Sequence, residues 1–157
     1  MKPAERIVVG VDGSPGSYYA LRRAVREAAR VGAVVQAVTA WDWNVVDSVL
    51  LDSTSLAREH RRIAEALASE VADVAADGGA VVPVSAQIVQ GSPARVLTQV
   101  SRGARLLVLG GHERLRSYGE AMGSVAEECV RIATCPTLIV PTAQPSPDEY
   151  VSTSARG

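Results

Sequence analysis

Two stretches of the chain carry residue types suited to ligand chemistry. The first is Gly110–Val125, GGHERLRSYGEAMGSV. The apolar run Leu106–Leu109 enters the paired glycines Gly110 and Gly111, and a loop with His112, Arg114 and Arg116 follows. Gly123 and Ser124 then open an apolar-periodic segment at Val125. This is the outline of a strand, a phosphate-sized loop and a helix start. The first N–H groups of a helix have no intrahelical acceptor, and the helix dipole adds partial positive charge there. An anion can sit on such an end, and glycine lets it approach the backbone. The same outline also fits an ordinary strand–helix connection with glycines at its turns. The second stretch is Asp12 in VDGSPGS, a carboxylate just after an apolar run. Asp12 can accept from a ribose hydroxyl or hold a metal ion.

Other chemistries lack their residues. The chain has 16 Lys+Arg, yet its only lysine is Lys2, and no GxxxxGK[ST] occurs. Gly10, Gly13 and Gly16 are spaced GxxGxxG, with Gly10 inside the first apolar run, so the dinucleotide fingerprint GxGxxG is not met. A phospho-accepting receiver domain would need an acidic cluster after the first strand, an aspartate after the third and a lysine after the fifth. This chain offers Asp12, Gln90 and no lysine there. No GxSxG and no metal-ligand spacing is present. Cys129 and Cys135 form no CxxC and read as small buried hydrophobes in a reducing compartment. His60 falls on the apolar line of a helix and reads as a boundary histidine over the core edge. His112 is the sole neutral-pH candidate for a general base, so nothing favours an enzyme beyond a slow ATPase.

The frame that must position these residues follows from length and periodicity. A chain of 157 residues is most simply one domain, able to bury roughly 70% of its unfolded surface without a staple. The net charge of −1 leaves no footprint for nucleic acid. No 18-residue apolar stretch and no signal-peptide pattern occurs, so a soluble, cytoplasmic protein with no membrane partner is expected. Ile7–Val11 is a continuous apolar run suited to a strand buried on both faces. Ser14 or Ser17 caps the next helix, with Leu21, Ala24, Val25 and Ala28 on its apolar face and Gly32 at its end. Val34–Trp41 is the second strand. Residues 42–51 are too apolar for a plain loop and read as a connection folded over something. A long helix runs from Asp52 or Ser53 to about Ala76. Val82–Val89, with Pro83, reads as an edge strand. Pro93 opens a short helix that Gly103 stops. Arg105–Gly110 is the fourth strand, Gly123–Thr134 the last helix and Thr137–Val140 the fifth strand. From Thr142 the composition predicts a disordered tail, 142–157. The alternation indicates an α/β fold with a doubly wound parallel sheet and helices on both faces. Ligands of such sheets sit beyond the strands' carboxyl ends, where the strand order reverses.

Over residues 5–141 the chain resembles the universal stress protein family. IVVGVDGSPGS, VTAW, QGSPARVL and above all LVLGG…GSVAEECVRIATCPTLIVP carry the likeness. The resemblance implies a Rossmann-like fold of the adenine nucleotide alpha hydrolase-like kind, with five strands in the order 3-2-1-4-5. It also implies a homodimer paired through Thr137–Val140, whose free edge that pairing would cover. Nucleotide-binding members hold ATP with Mg²⁺ or Mn²⁺ through G-x2-G-x9-G-S/T. Carried over, Asp12 meets the ribose or adenine side, with Gly10 counted in the same site. Ala40 meets adenine through its backbone, with Trp41 beside it. Gly110, Gly111, His112, Arg114, Arg116, Gly123, Ser124 and Val125 hold ribose and phosphates. The second motif glycine is replaced by Glu113. A carboxylate ~4 Å from a phosphate costs on the order of 4 kcal/mol at an effective dielectric near 20. Flanking Arg114 and Arg116 can offset this. The resemblance therefore implies a dimeric stress-response regulator that binds ATP or an adenine nucleotide with fewer phosphates. The alternative is a dimeric interaction protein with a vestigial site, working through partners.

Overall fold

The computed structural model describes residues 3–42, 52–77, 81–111 and 124–141. Strands and helices alternate through the chain: β1 (Arg6–Gly10), α1 (Pro15–Val31), β2 (Val34–Trp41), α2 (Ser53–Asp77), β3 (Val84–Gln90), α3 (Pro93–Val100), β4 (Leu106–Gly110), α4 (Ser124–Ile132) and β5 (Thr137–Val140). The five strands form one sheet in the order β3-β2-β1-β4-β5, and every pairing is parallel. This is the expected order. The 42–51 connection and the 142–157 tail lie outside the described residues, apart from Asp42. No described helix is long and apolar enough to cross a membrane.

Both faces of the central strands are covered, which is why they read as unbroken apolar runs. Ile7 and Val9 of β1 pack with Leu21, Ala24 and Ala28 of α1 and Leu67 and Val74 of α2. Val8 points the other way and packs with Val96 and Leu97 of α3, Leu107 of β4 and Ala126 and Cys129 of α4. Cys129 and Cys135 are both free thiols, and Cys129 is fully buried. Burial, with a smaller contribution from the charge of Glu128, pushes the Cys129 thiol up to about 11.

Element ends differ from expectation by one or two residues, for local reasons. β1 ends at Gly10, although the Val11 N–H still donates to the Val38 carbonyl at 2.9 Å. β3 starts after Pro83, which has no N–H to give; its carbonyl accepts from Val35 at 2.9 Å. Of the two candidate caps for α1, Ser14 is the one used: its Oγ accepts from the Ser17 N–H at 3.2 Å. Gly32 closes α1 at φ +73°, donating to the Ala28 carbonyl. His60 is not over the core edge. It is exposed, and its ring meets Trp41 edge-on with centroids 5.1 Å apart.

The start of α1 meets the end of β4 backbone to backbone. A Cβ on Gly110 would lie 2.4 Å from the Gly16 carbonyl carbon and 2.5 Å from its oxygen. A Cβ on Gly16 would lie 2.8 Å from the Gly111 carbonyl oxygen. These atoms are main chain and cannot rotate away. Gly110→Ala is therefore expected to cost about 1–3 kcal/mol or more, as overpacking does. Thermal denaturation should show it as a fall in Tm of roughly 2–4 °C per kcal/mol. An unchanged Tm would mean that α1 and β4 can move apart freely.

Candidate functional site

β1 and β4 are neighbours in the sheet, but the chain leaves them in opposite directions. β1 continues through α1 to β2, and β4 through α4 to β5. Their carboxyl ends therefore part around a crevice, the place where such sheets receive ligands. A cleft of about 390 Å³ opens there. Gly10, Val38, Ala40 and Leu109 line it from the strands, and Ser14 to Ser17 from the start of α1. Pro93 and Leu97 of α3 and Ser124, Val125 and Ala126 of α4 line it from the other face.

Gly10, Asp12, Ala40, Gly110, Gly111, Ser124 and Val125, all singled out from sequence, meet in this cleft. His112, Glu113, Arg114, Arg116 and Gly123 lie outside the described residues. The α1 start, Ser14–Ser17, and the side chains of Val38, Pro93, Leu97 and Leu109 were not anticipated as lining. Their sequence signals were those of a helix cap and of ordinary core positions. Gly10 leaves the floor open: a Cβ there would come within 3.0 Å of both Leu97 and Leu109. Gly110 has a packing reason to be glycine. The space beside its α-carbon is filled by the Gly16–Ser17 backbone.

Trp41 does not stand beside the cleft. Val38 and Ala40 pack toward α3 and α4. Trp41, one residue beyond Ala40, points to the opposite face. Its ring there meets His60 of α2.

The mouth of the cleft is held by a compact hydrogen-bond network. The Ser14 N–H donates to Asp12 Oδ1 at 2.9 Å. The Asp12 N–H donates to Ser17 Oγ at 3.3 Å, and Ser17 Oγ donates to the Ser14 carbonyl at 3.0 Å. Thr39 Oγ1 donates to the Val11 carbonyl at 2.8 Å, fixing the strand exit. The loop crowds the Asp12 carboxyl, which by itself raises its pKa. Hydrogen bonds from Ser14 and Ser17 outweigh that and hold it below the ordinary carboxylate range. Asp12 is thus an anion set against the α1 N-terminus, whose Ser17 and Tyr18 N–H groups are already used by Ser14. The Asp12 charge disfavours a phosphate at that end. Ser124, at the first turn of α4, is the other helix start on the cleft. The expected Mg²⁺ or Mn²⁺ finds little to hold it. Among the described residues no three His, Cys, Asp or Glu side chains gather, and Asp12 is the only carboxylate lining the cleft.

The model of the universal stress protein family matches residues 3–141. The chain belongs to the universal stress protein family. Universal stress proteins of Mycobacterium tuberculosis and Mycobacterium bovis are 37% identical over 138 residues, covering 85% of this chain and 44% of theirs. The chain thus spans somewhat under half the length of these curated relatives. Among solved structures, a universal stress protein in complex with cyclic AMP superposes with a TM-score of 0.66 at 26% identity. It covers 90% of this chain and 100% of that one. A universal stress protein family member from Burkholderia pseudomallei gives a TM-score of 0.67 at 28% identity, over 87% of this chain and 96% of that one.

The Asp12 network predicts a pH dependence. The folded-state pKa lies below the unfolded value of about 3.9, so the charge's contribution is complete above that value and is lost as pH falls through the folded pKa. Asp12→Asn keeps an acceptor but no charge. Urea midpoints should place this variant below wild type at pH 7, with the gap closing as pH falls through the carboxylate range. A pH-independent gap would assign the effect to geometry alone.

Proposed function

We propose that the protein is a cytoplasmic, dimeric stress-response regulator that binds an adenine nucleotide in the cleft between β1 and β4. The observation that carries this reading is the convergence of Asp12, Ala40, Gly110, Gly111, Ser124 and Val125, far apart in sequence, on one cleft at the switch point of the sheet. The cleft's volume of about 390 Å³ is within the usual range for small-molecule sites. The relative at 26% identity that was solved with cyclic AMP supports the ligand class. The adenosine part occupies the apolar floor of Gly10, Val38, Ala40 and Leu109. The ribose faces Asp12, which can accept from its hydroxyls. Phosphates lie toward Ser124 and the 112–123 loop, away from the Asp12 charge. A Mg²⁺ or Mn²⁺ ion, where one takes part, arrives on the phosphates with its own waters. No hydrolytic step belongs to this reading.

Glu113 sets the number of phosphates. ATP brings more negative charge than AMP or cyclic AMP to a loop that carries a carboxylate where the family motif has glycine. Calorimetric titration of nucleotide-free protein with ATP, ADP, AMP and cyclic AMP, with and without Mg²⁺, tests this. The expected result is tighter AMP or cyclic AMP than ATP, and a gain of at least tenfold for ATP in Glu113→Gly, about 1.4 kcal/mol. No gain in that variant would remove Glu113 from the ligand's surroundings. Silence from all four ligands in wild type would favour the interaction-protein reading, with the glycines as packing residues.

The dimer is proposed through β5. Leu107 and Gly111 donate to the Pro136 and Val140 carbonyls, at 2.9 and 2.7 Å. By the two-residue period, Ile139 turns its N–H to the free edge. On α4 nearby, Val130 and Ile132 are 48% and 46% exposed. Ile139→Pro removes an outward donor and leaves the β4 ladder intact. Sedimentation should show a dimer for wild type and a folded monomer for this variant. A variant that remains dimeric would move the interface elsewhere.

A further inference from the structure

α3 meets the sheet through apolar packing, Val96 and Leu97 lying with Val8, Val38 and Leu107, and its own polar groups add little to that. It has eight residues, and a helix that short does not persist alone. Its N-cap residue Ser92 makes no side-chain hydrogen bond, and no basic residue occupies its last turn. The side-chain bonds of Thr98 and Ser101, to Ala94, Arg95 and Thr98 carbonyls, stay within the helix and its end. None of these side-chain hydrogen bonds reaches the sheet, so they do not fix how far the helix slides along its apolar contact. Yet Pro93 and Leu97 both line the cleft. Leu97 Cδ1 also lies 3.0 Å from where a Cβ on Gly10 would stand, so a small shift of α3 changes the width above the floor.

A polar anchor comes from another element. Arg6, the first residue of β1, extends its guanidinium to the C-terminal end of α3. Nη1 donates to the Val100 carbonyl at 2.7 Å, and Nη2 donates to the Arg102 carbonyl. Nη1 also donates to Gln36 Oε1 of β2 at 3.2 Å. Gln36 is itself held by its amide, which donates to Gln87 Oε1 of β3 at 2.7 Å. The last carbonyls of a helix have no intrahelical donor, and the dipole is negative there. A planar guanidinium reaches two carbonyls in one fixed geometry, which an ammonium group does not. The rise of ~3.3 Å per residue puts Arg6 roughly 13 Å below Gly10, at the end of the sheet away from the cleft.

We propose that Arg6 is a positioning residue for the ligand cleft. It fixes α3 against β1 and β2 from the far end of the sheet and so sets where Pro93 and Leu97 stand. Arg6 does not line the cleft. The inference rests on the nucleotide reading only for its affinity readout.

The test compares Arg6→Gln, Arg6→Lys and Arg105→Gln with wild type. Arg105 forms an exposed ion pair with Glu5 at 2.6 Å, at the same end of the sheet, and serves as the control for a general loss of stability. Three measurements are made: Tm, calorimetric affinity for AMP and cyclic AMP, and amide hydrogen exchange over residues 93–100 without ligand. Arg6→Gln is expected to weaken binding on the order of tenfold, the scale of one charged hydrogen bond, and to speed exchange in α3 selectively. Arg6→Lys should recover part of both, and Arg105→Gln should change neither. Wild-type affinity in Arg6→Gln, or α3 exchange no faster than in Arg105→Gln, would overturn the proposal. If wild type binds no adenine nucleotide, ATP and ADP included, the function reading falls and the exchange measurement still decides on Arg6. If Arg6→Gln does not fold, Arg6→Lys carries the comparison, and wild-type exchange and affinity in it would overturn the proposal.

Discussion

The closest constraint in this molecule is the contact between Gly16 and Gly110. The first turn of α1 lies against the last residue of β4 with no side chain between them. Residues bearing a Cβ at these positions would force the helix outward, away from the β1–β4 boundary. That boundary is where the sheet changes direction, and the cleft is built on it. The same contact brings the loop after β1 close to the loop after β4. Asp12 and Gly111 therefore share one cleft because two backbones can touch. The glycine pair looks like anion chemistry in sequence, but in the structure it first serves helix–strand packing, and the ligand site follows from that packing.

Electrostatics then divides the cleft. Two helices begin at it, and both would attract an anion if left bare. At α1 the chain has already supplied one. Asp12 is fixed by Ser14 and Ser17, and its depressed pKa keeps it charged through the neutral range. At α4 the first turn carries Ser124 on the cleft and Glu127 farther along, beyond the cleft lining. A ligand with a neutral polar ring on one side and negative charge on the other fits this division, and the apolar floor between suits a flat base. A uniformly anionic ligand does not fit it.

Much of this was legible in the residues. Alternating runs with capping chemistry between them were enough for the order of elements, and covered faces explain why Ile7–Val9 and Leu107–Leu109 read as continuous apolar runs. Ser14, Gly32, Pro93 and Gly103 mark ends through their own backbone preferences, so local sequence suffices there. The misplacements have a different cause. Trp41 was placed by its position at the end of β2 rather than by its side of the strand. Counting the two-residue period from Val38 would have sent it to the α2 face. The reason for Gly110 depends on the distance between segments remote in sequence, and no local pattern carries that. Leu97 looked like core because a cleft wall and a core wall have the same helical spacing. Arg6 gave no signal, since two of its partners are backbone carbonyls that every residue has and the third, Gln36, is remote in sequence.

The two edges of the sheet show how the chain controls where it can grow. On β3, Val84 and Ile88 pack toward the α1–α2 core while Ser85 and Gln87 are exposed. On that second face Ser85 and Gln87 are exposed and Gln87 is linked across to β2 through Gln36, while Val89 at the strand's end packs toward the α3–α4 side. On β5 the pattern reverses. Leu138 and Ile139 are partly buried from opposite faces and the strand carries no charge. A short apolar strand with a free backbone edge is a pairing site unless something covers it. One edge is thus made unattractive and the other is left ready. That asymmetry is why the proposed dimer is placed on β5 and not on β3.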